Sequence, residues 1–556
     1  MDVVALAARL QELDDAALDR LVADREPPAQ LASTFDLAEH LVQAPSIESA
    51  LRWRTADELA LLARGGSTPR LDALLLGVDG AALPQVQAVV RERLGDDPAH
   101  AQDAPDAPLE PVDSPAAPQA AIDEAIKVAE LVQRIADRPI ALRSRSQLPA
   151  PVARELAQAI DGEPALVDER LEPALLAGLV AARDGRLLAT DEADAWLASP
   201  VAERWLRLAR AWLEAVPDAA AVAADDLPRA FPLADTEALA VLERRRRQAV
   251  SLGLADRGAP TTLAREAAER PASAVATLAA HVPPATASVY LQPDLSVVAP
   301  GPLTAAVERR LRSVATIERA GIASQWRISP RSIAAGLAAG ADADDLVAML
   351  EAISLTGLPQ PVAYLVRDTA QRFGSLRVRG VDPLAEGGAR SQARSDDAAL
   401  IRTLAVDRAL AQLGPQQSGP HRVTLRVSAE EALDALLDER YPAVLEHEDG
   451  ALARPRPERA PSREREPHRL VARLRDAGFE VGEAERAWLE RQLLEAVRER
   501  VPVRLTVTTA SDPVDVELVP LAVANGRLRA RDARRDVERT LPLSAITRVA
   551  GLGAVG

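Results

Sequence analysis

The stretch Gly-Arg-Leu-Arg-Ala-Arg-Asp at 526–532 carries the sharpest spacing in the chain. Its arginines, Arg527, Arg529 and Arg531, alternate with Leu528 and Ala530. In a strand, period two sends all three guanidinium groups to one face and the small apolar residues to the other. Three like charges in a row repel one another. A phosphate or other anion that accepts bidentate hydrogen bonds relieves them. Acidic residues of a neighbouring strand, Asp515 and Glu517, would do the same from within the protein, and the two readings stand side by side.

A second concentration lies in 285–380. Ten arginines face eight carboxylates there, a balance of about +2 in a chain whose formal charge is −17. Arg309, Arg310, Arg312, Arg327, Arg331, Arg372, Arg377 and Arg379 are the nucleic-acid-binding candidates of this stretch, and the three arginines of 527–531 complete the set. Tyr290, Trp326, Tyr364 and Phe373 share the stretch, and aromatics beside arginines suit distorted or unstacked nucleic acid. The competing assignment, favoured for most of them, is the core of a well-packed domain.

Other chemistries find no residues. The chain has no cysteine, which removes disulfides, thiolate nucleophiles and Cys-ligated metals. Its histidines, at 40, 100, 281, 421, 447 and 468, form no i, i+4 pair. Lys127, the single lysine, sits in no glycine-rich loop, so a Walker A site is not encoded. No G-x-S-x-G elbow, H-E-x-x-H pair or dinucleotide fingerprint occurs. The acidic cluster around His447 in Leu-Glu-His-Glu-Asp-Gly at 445–450 has the residue types of a metal site, but its single histidine reads rather as a solvated hairpin tip. The expectation is a protein without catalytic residues, metal or cofactor.

These candidates must be held by several domains, since 556 residues exceed one core. Aromatics at 2% leave cores to Leu, Val and Ala, which favour helices. The fold class expected is multidomain and mainly α with α+β parts. Residues 1–96 read as a helical domain, with Thr55 and Glu58 as a capping box and Gly65 as a stop. Residues 97–122 are a Pro/Ala/Asp-rich linker. Residues 123–225 give helix, helix and strand hairpin, the order of a winged helix, and 226–284 a second such unit. The helix that would read DNA carries Asp168, Glu169 and Glu172 against Arg170, which suits packing or partner docking better than a major groove. Arg244–Arg247 read as a solvated helix face.

Residues 285–380 form an α+β module. It opens with one strand over Ser-Val-Tyr-Leu-Gln-Pro-Asp-Leu-Ser-Val-Val-Ala, Pro293 marking an edge or bulge and Pro302 starting the next helix. Ser329 caps a helix with Pro330 at its first position, and Leu-Arg-Val-Arg-Gly at 376–380 closes the module as a strand. Residues 381–450 add a β-α-β extension and 451–469 a Pro/Arg/Glu linker. Residues 470–556 give a helix and short strands, a small β-barrel-like domain.

The run from Tyr290-Leu-Gln-Pro-Asp through Arg327-Ile-Ser-Pro-Arg-Ser-Ile and Leu358-Pro-Gln-Pro to Arg372-Phe-Gly-Ser-Leu-Arg-Val resembles the N-terminal domain of XPB-type DNA helicases. It is closer still to actinobacterial helicase-associated proteins that carry this domain without a motor. The resemblance covers about 95 residues and implies a module that senses DNA distortion. Phe373 departs from it where relatives carry histidine or tyrosine. Residues 488–551 resemble a WYL domain on Leu-Leu-Glu-Ala-Val-Arg-Glu-Arg-Val-Pro-Val-Arg-Leu-Thr-Val and Glu-Arg-Thr-Leu-Pro-Leu-Ser-Ala-Ile-Thr-Arg-Val. The strand that names that family reads Arg-Leu-Arg-Ala-Arg-Asp, so the ligand pocket the resemblance implies would rest on arginines.

The expected function is a non-enzymatic, DNA-associated accessory of an XPB-like helicase or of DNA repair, with 285–380 sensing DNA or docking the helicase. A WYL-type transcriptional regulator and a protein-interaction scaffold are the alternatives. The N-terminus has no basic run ahead of an apolar segment, and no apolar run approaches ~18 residues. A cytoplasmic location without membrane contact is therefore expected, with DNA and an XPB-like helicase as partners.

Overall fold

The computed structural model describes residues 3–95, 110–143, 147–216, 218–447, 449–453, 458–461, 469–476, 481–508, 513–532 and 537–551. Most of the two expected linkers lies outside these residues. The chain is a multidomain mixture of helices and sheets. It divides into two compact units, Met1–Asp106 with Pro228–Leu239 and Arg465–Gly556, and Ala107–Leu227 with Ala240–Glu464.

In the first unit, short helices over 3–51 bury Leu6, Leu10, Leu18, Leu21, Leu37 and Leu41. Leu470, Val471 and Leu474 join the same core from Arg469–Asp476. Thr55 caps Ala56–Ala63 with Glu58 reciprocating, and Gly65 takes φ +85° just beyond, as the spacing predicts.

The second unit begins with α1 (Ala117–Asp137), which starts inside the segment expected as linker. Next come β1 (Ile140–Ala141), α2 (Ala150–Ala159), α3 (Val167–Leu176), β2 (Val180–Arg183) and β3 (Arg186–Ala189), with sheet order β1-β3-β2. Two amphipathic helices, α4 (Val201–Ala215) and α5 (Thr236–Ser251), follow. Trp205 and Trp212 of α4 are fully buried, their indole N–H groups donating to Leu252 O and Gln248 Oε1.

A four-stranded antiparallel sheet comes next. Its strands are β4 (Tyr290–Leu291), β5 (Ser296–Val298), β6 (Ala315–Arg319) and β7 (Gln325–Ile328), in the order β6-β7-β5-β4. The single strand expected over 288–299 is thus a hairpin. Gln292–Leu295 form its turn, where Leu295 takes φ +73° and Pro293 needs no ladder partner. Pro302 also departs from expectation. Thr304 is the N-cap of α6 (Ala305–Arg312), and Pro302 lies ahead of the helix, accepting from Thr286 N at 2.7 Å.

One face of this sheet packs on α6, α7 (Pro330–Ala338), α8 (Ala343–Ile353) and α9 (Gln360–Arg372). Val289, Leu291, Val297, Ile317, Trp326 and Ile328 point into that core. Ser329 caps α7 in a box with Ser332, and α7 approaches so closely that a Cβ on Gly336 would stand 2.6 Å from Ser313 O.

The strand expected to close this module, β8 (Leu376–Gly380), belongs to the next sheet. There β9 (Ser391–Arg394), β10 (Gln416–Gly419), β11 (Arg422–Leu425) and β12 (Ala443–Leu445) give the order β10-β11-β9-β8-β12, backed by α10 (Ala429–Asp438). β12 runs parallel to β8, its neighbour in space across a long connection.

The C-terminal sheet comprises β13 (Val503–Thr508), β14 (Pro513–Ala524), β15 (Arg527–Asp532), β16 (Glu538–Pro542) and β17 (Ile546–Gly551). Its order is β16-β15-β14-β13-β17. Among the described residues β16 and β17 remain separate edges, so the expected barrel is corrected to an open sheet. Among the described residues no helix is long and apolar enough to cross a membrane.

Candidate nucleic-acid interface

The exposed face of the 290–328 sheet follows from strand alternation. Core residues occupy every second position, so the intervening side chains face water. Register then sets them in rows. Thr316 stands opposite Arg327, and Arg327 opposite Ser296. One row on, Arg319 pairs with Gln325, Gln325 with Val298 and Val298 with Tyr290. A register shift between Ile317 and Arg319 inserts Glu318 as an extra residue, and Glu318 and Arg319 are both exposed. Tyr290 is 42% exposed at the outer strand. Beside it the backbone N–H of Leu355, a residue 51% exposed, donates to Val289 O at 2.9 Å. The second row thus carries a cation at one end and an aromatic ring at the other, three strand spacings or roughly 14 Å apart.

The aromatics divide. Trp326 is 1% exposed and Phe373 packs on the same core. Tyr290 and Tyr364 do not, and Tyr364 on α9 is 69% exposed. The core assignment fits the first pair and fails for the second.

The candidate arginines divide as well. Arg309 and Arg310 lie exposed on α6 with no side-chain hydrogen bond or ion pair among the described residues. Arg312, one turn on, is sequestered. It meets Glu308 at 2.8 Å and Glu130 at 3.0 Å, and its guanidinium lies 5.0 Å from the Trp326 ring centroid. Burial opposes its charge, and the two carboxylates outweigh burial and hold its pKa above the ordinary arginine value.

Arg327 binds Glu318 at 2.8 Å and Asp294 O at 2.8 Å. Arg331 binds Asp434 at 2.9 Å and also pairs with Asp438, while Arg372 pairs with Asp368. Arg377 stands 3.4 Å from Glu446, which is held more closely by Arg394. Those contacts, with Arg394 the leading cause, keep the Glu446 carboxyl below its usual range. This engagement accounts for the carboxylate of the 445–450 hairpin tip. Arg379 is half-buried on β8, its Nε without a hydrogen-bond partner among the described residues.

On β15 the alternation holds, with Arg527, Arg529 and Arg531 exposed and Leu528 and Ala530 buried. Arg529 pairs with Glu538 of β16 at 2.8 Å, and Arg531 is also engaged. The neighbouring-strand acids have contacts within their own strand pair. Glu517 binds Arg504 at 2.9 Å, and Asp515 accepts from Thr506 at 2.7 Å. Among the described residues Arg527 has no such partner.

Arg319 was counted in the sequence and not singled out. Its signal was the alternation Gln325-Trp326-Arg327-Ile328, whose polar members mark the solvent face on which Arg319 falls.

The helix α3 is not free to enter a groove. Its acids meet the basic run of α5, which is therefore no solvated face. Glu169 binds Arg247 at 2.7 Å, and Glu172 binds Arg244 at 3.2 Å and Arg245 at 2.9 Å. Gln248, 3% exposed, donates to Glu172 Oε2 and Glu169 O. Arg170 turns to Glu124 of α1 at 3.0 Å. Burial pushes the Glu124 carboxyl up, with Arg170 opposing.

Comparison with known proteins adds one finding. Residues 289–419 match the family described as a helicase conserved C-terminal domain. The match begins with the first sheet and runs through β8, β9 and β10 of the second. It supports a helicase association. No curated protein matches the chain.

Proposed function

We propose that the protein is an accessory of a helicase, contacting nucleic acid through the 285–380 region without turning over nucleotide. The observation that carries this reading is the helicase-domain match over 289–419. The open sheet face of the same region supports a contact role, because a solvent-facing tyrosine and arginine in one row suit unpaired bases and their phosphates. Arg309 and Arg310 supply further cations, with no acid paired to them among the described residues. The resemblance to XPB-type N-terminal domains makes DNA the preferred nucleic acid, in helicase action or repair.

The region 117–189 takes the element order of a winged helix. Its third helix is occupied by α5, which favours a docking role for this unit over base reading. The sequence encodes no Walker A motif, so any motor activity would belong to the partner.

Gel shifts on duplex, forked and single-stranded DNA across salt test the contact. Binding that weakens with salt and favours forked or single-stranded DNA is expected. Absence of binding at low salt, with capture of the cognate helicase retained, would reduce the role to protein docking.

A further inference from the structure

The sheet of β8 to β12 turns one face to a core that holds Ile401, Leu404 and Leu436. Leu376, Val378, Ala393 and Val423 point into that core. By alternation Arg377, Arg379, Gln392, Arg394 and Arg422 lie on the opposite face. Register sets them side by side. Arg377 stands opposite Arg394, and Arg394 opposite Arg422, a row of cations across β8, β9 and β11 that spans roughly 10 Å. In the next row Arg379 stands opposite Gln392, and Gln392 opposite Thr424. Like charges set directly opposite one another destabilise a sheet unless counter-charge meets them.

That counter-charge is incomplete. Glu446 takes Arg394 at 2.7 Å and Arg377 at 3.4 Å, and Glu386 takes Arg422 at 2.6 Å. Asp396, exposed just past β9, makes no ion pair among the described residues. The unmet donors gather around the second row. Arg379 has neither a hydrogen bond nor an ion pair among the described residues, and its Nε is buried. Gln392 is 3% exposed, and its side-chain amide has no hydrogen-bond partner among the described residues. Arg422, on the strand at the other side of Gln392, also has a buried Nε without a partner among the described residues. Thr424 by contrast is satisfied, donating to Gln416 O at 3.2 Å. Buried donors left unmatched are costly, and here they surround one position.

We propose that this face holds a phosphate group over Gln392. Its oxygens take the forked edge of Arg379 and an amide N–H of Gln392, while Arg394 and Arg422 keep the surroundings positive. Donors on three neighbouring strands suit a tetrahedral group with several strong acceptor oxygens better than a planar carboxylate. A nucleic-acid backbone and a free oligophosphate both carry that chemistry. The site lies on a different sheet from Tyr290 and Arg319, so it stands whether or not they contact nucleic acid.

The probe is pyrophosphate, titrated calorimetrically into the full-length protein at constant ionic strength, which holds general screening fixed. Saturable binding with a Kd of about 1 mM or tighter is expected. Arg379→Gln should weaken it at least about tenfold. Gln392→Glu should abolish it, because a carboxylate of the chain then fills the place of the phosphate. Arg402→Gln removes an exposed charge from the helix Ala398–Val406, which packs on the other face, and should leave binding unchanged. Forked DNA that displaces pyrophosphate supports the site and assigns it to a strand's phosphate. DNA that leaves pyrophosphate bound supports the site and assigns it to a free oligophosphate. The proposal is overturned if pyrophosphate shows no saturation up to about 10 mM, a readout that needs no variant to fold. Wild-type affinity in a folded Arg379→Gln or Gln392→Glu protein also overturns it. So does an Arg402→Gln protein weakened as much as Arg379→Gln, since any lost charge would then suffice.

Discussion

Tyr290 and Arg319 sit on one row of a sheet, and among the described residues neither side chain has a hydrogen-bond or ion-pair partner. A tyrosine on an outer strand gains nothing from facing water, whereas stacking on an unpaired base is worth ~1–3 kcal/mol. Tyr290→Ala should therefore lower affinity for single-stranded DNA about five- to 150-fold and leave the fold intact, since the side chain lies outside the core. Equal affinities in a fluorescence-anisotropy titration would remove Tyr290 from the interface.

Another residue-scale prediction concerns His40. Burial is the first cause that lowers its pKa below 6.5, and the nearby Arg25 adds to it. The unfolded chain then takes up a proton near pH 6.5 before the folded chain does. Stability is lost as pH falls through that value and levels off below the folded pKa. Urea midpoints at pH 7.5 and 5.5 should differ more in the wild type than in His40→Gln; equal differences would contradict the assignment. The sequence showed the β15 arginine row completely, because alternation is a local property. It left open which of the four aromatics lie outside the core, because the turn at Leu295 splits one apparent strand into two and only pairing shows which side of a hairpin is wet.

Between α3 and α5, charge complementarity is the organising contact. The acidic character of α3 was evident from Asp168, Glu169 and Glu172, and the basic run Arg244–Arg247 was evident too. Their meeting was not, since about 70 residues separate them and nothing local specifies a partner. The pairing is half-buried, so reversing it should cost more than a surface bridge. The double variant Glu169→Lys, Glu172→Lys should destabilise the protein by about 2–4 kcal/mol in urea unfolding. A loss below about 0.5 kcal/mol would mean that α5 does not hold α3. Helices with capping boxes, such as Ala56–Ala63 and α7, formed where the spacing placed them, because a cap is written within four residues.

At the scale of the whole molecule, residues far apart in sequence share one core. Leu470, Val471 and Leu474 pack with Leu6, Leu10 and Leu18, and Arg475 reaches Asp15 at 2.9 Å. Amphipathic periodicity announced each helix and left its partner open, so the packing of Arg469–Asp476 on the N-terminal helices was not evident from the sequence. Removing residues 465–556 should uncover that apolar surface and produce dye binding by the remaining chain. A truncated protein as soluble and as stable as the full chain would contradict the shared core.

The central claim is contact with nucleic acid beside a helicase, and salt dependence tests it most directly. Anisotropy titrations of the full-length protein on forked DNA, between about 50 and 200 mM salt, should give a log–log slope of about −1.5 to −3, as expected for two to four phosphate contacts at ~0.7 per contact. Arg309→Gln with Arg310→Gln should reduce its magnitude by about 1.4. No binding at the lowest salt, or a slope unchanged in that double variant, would contradict the account.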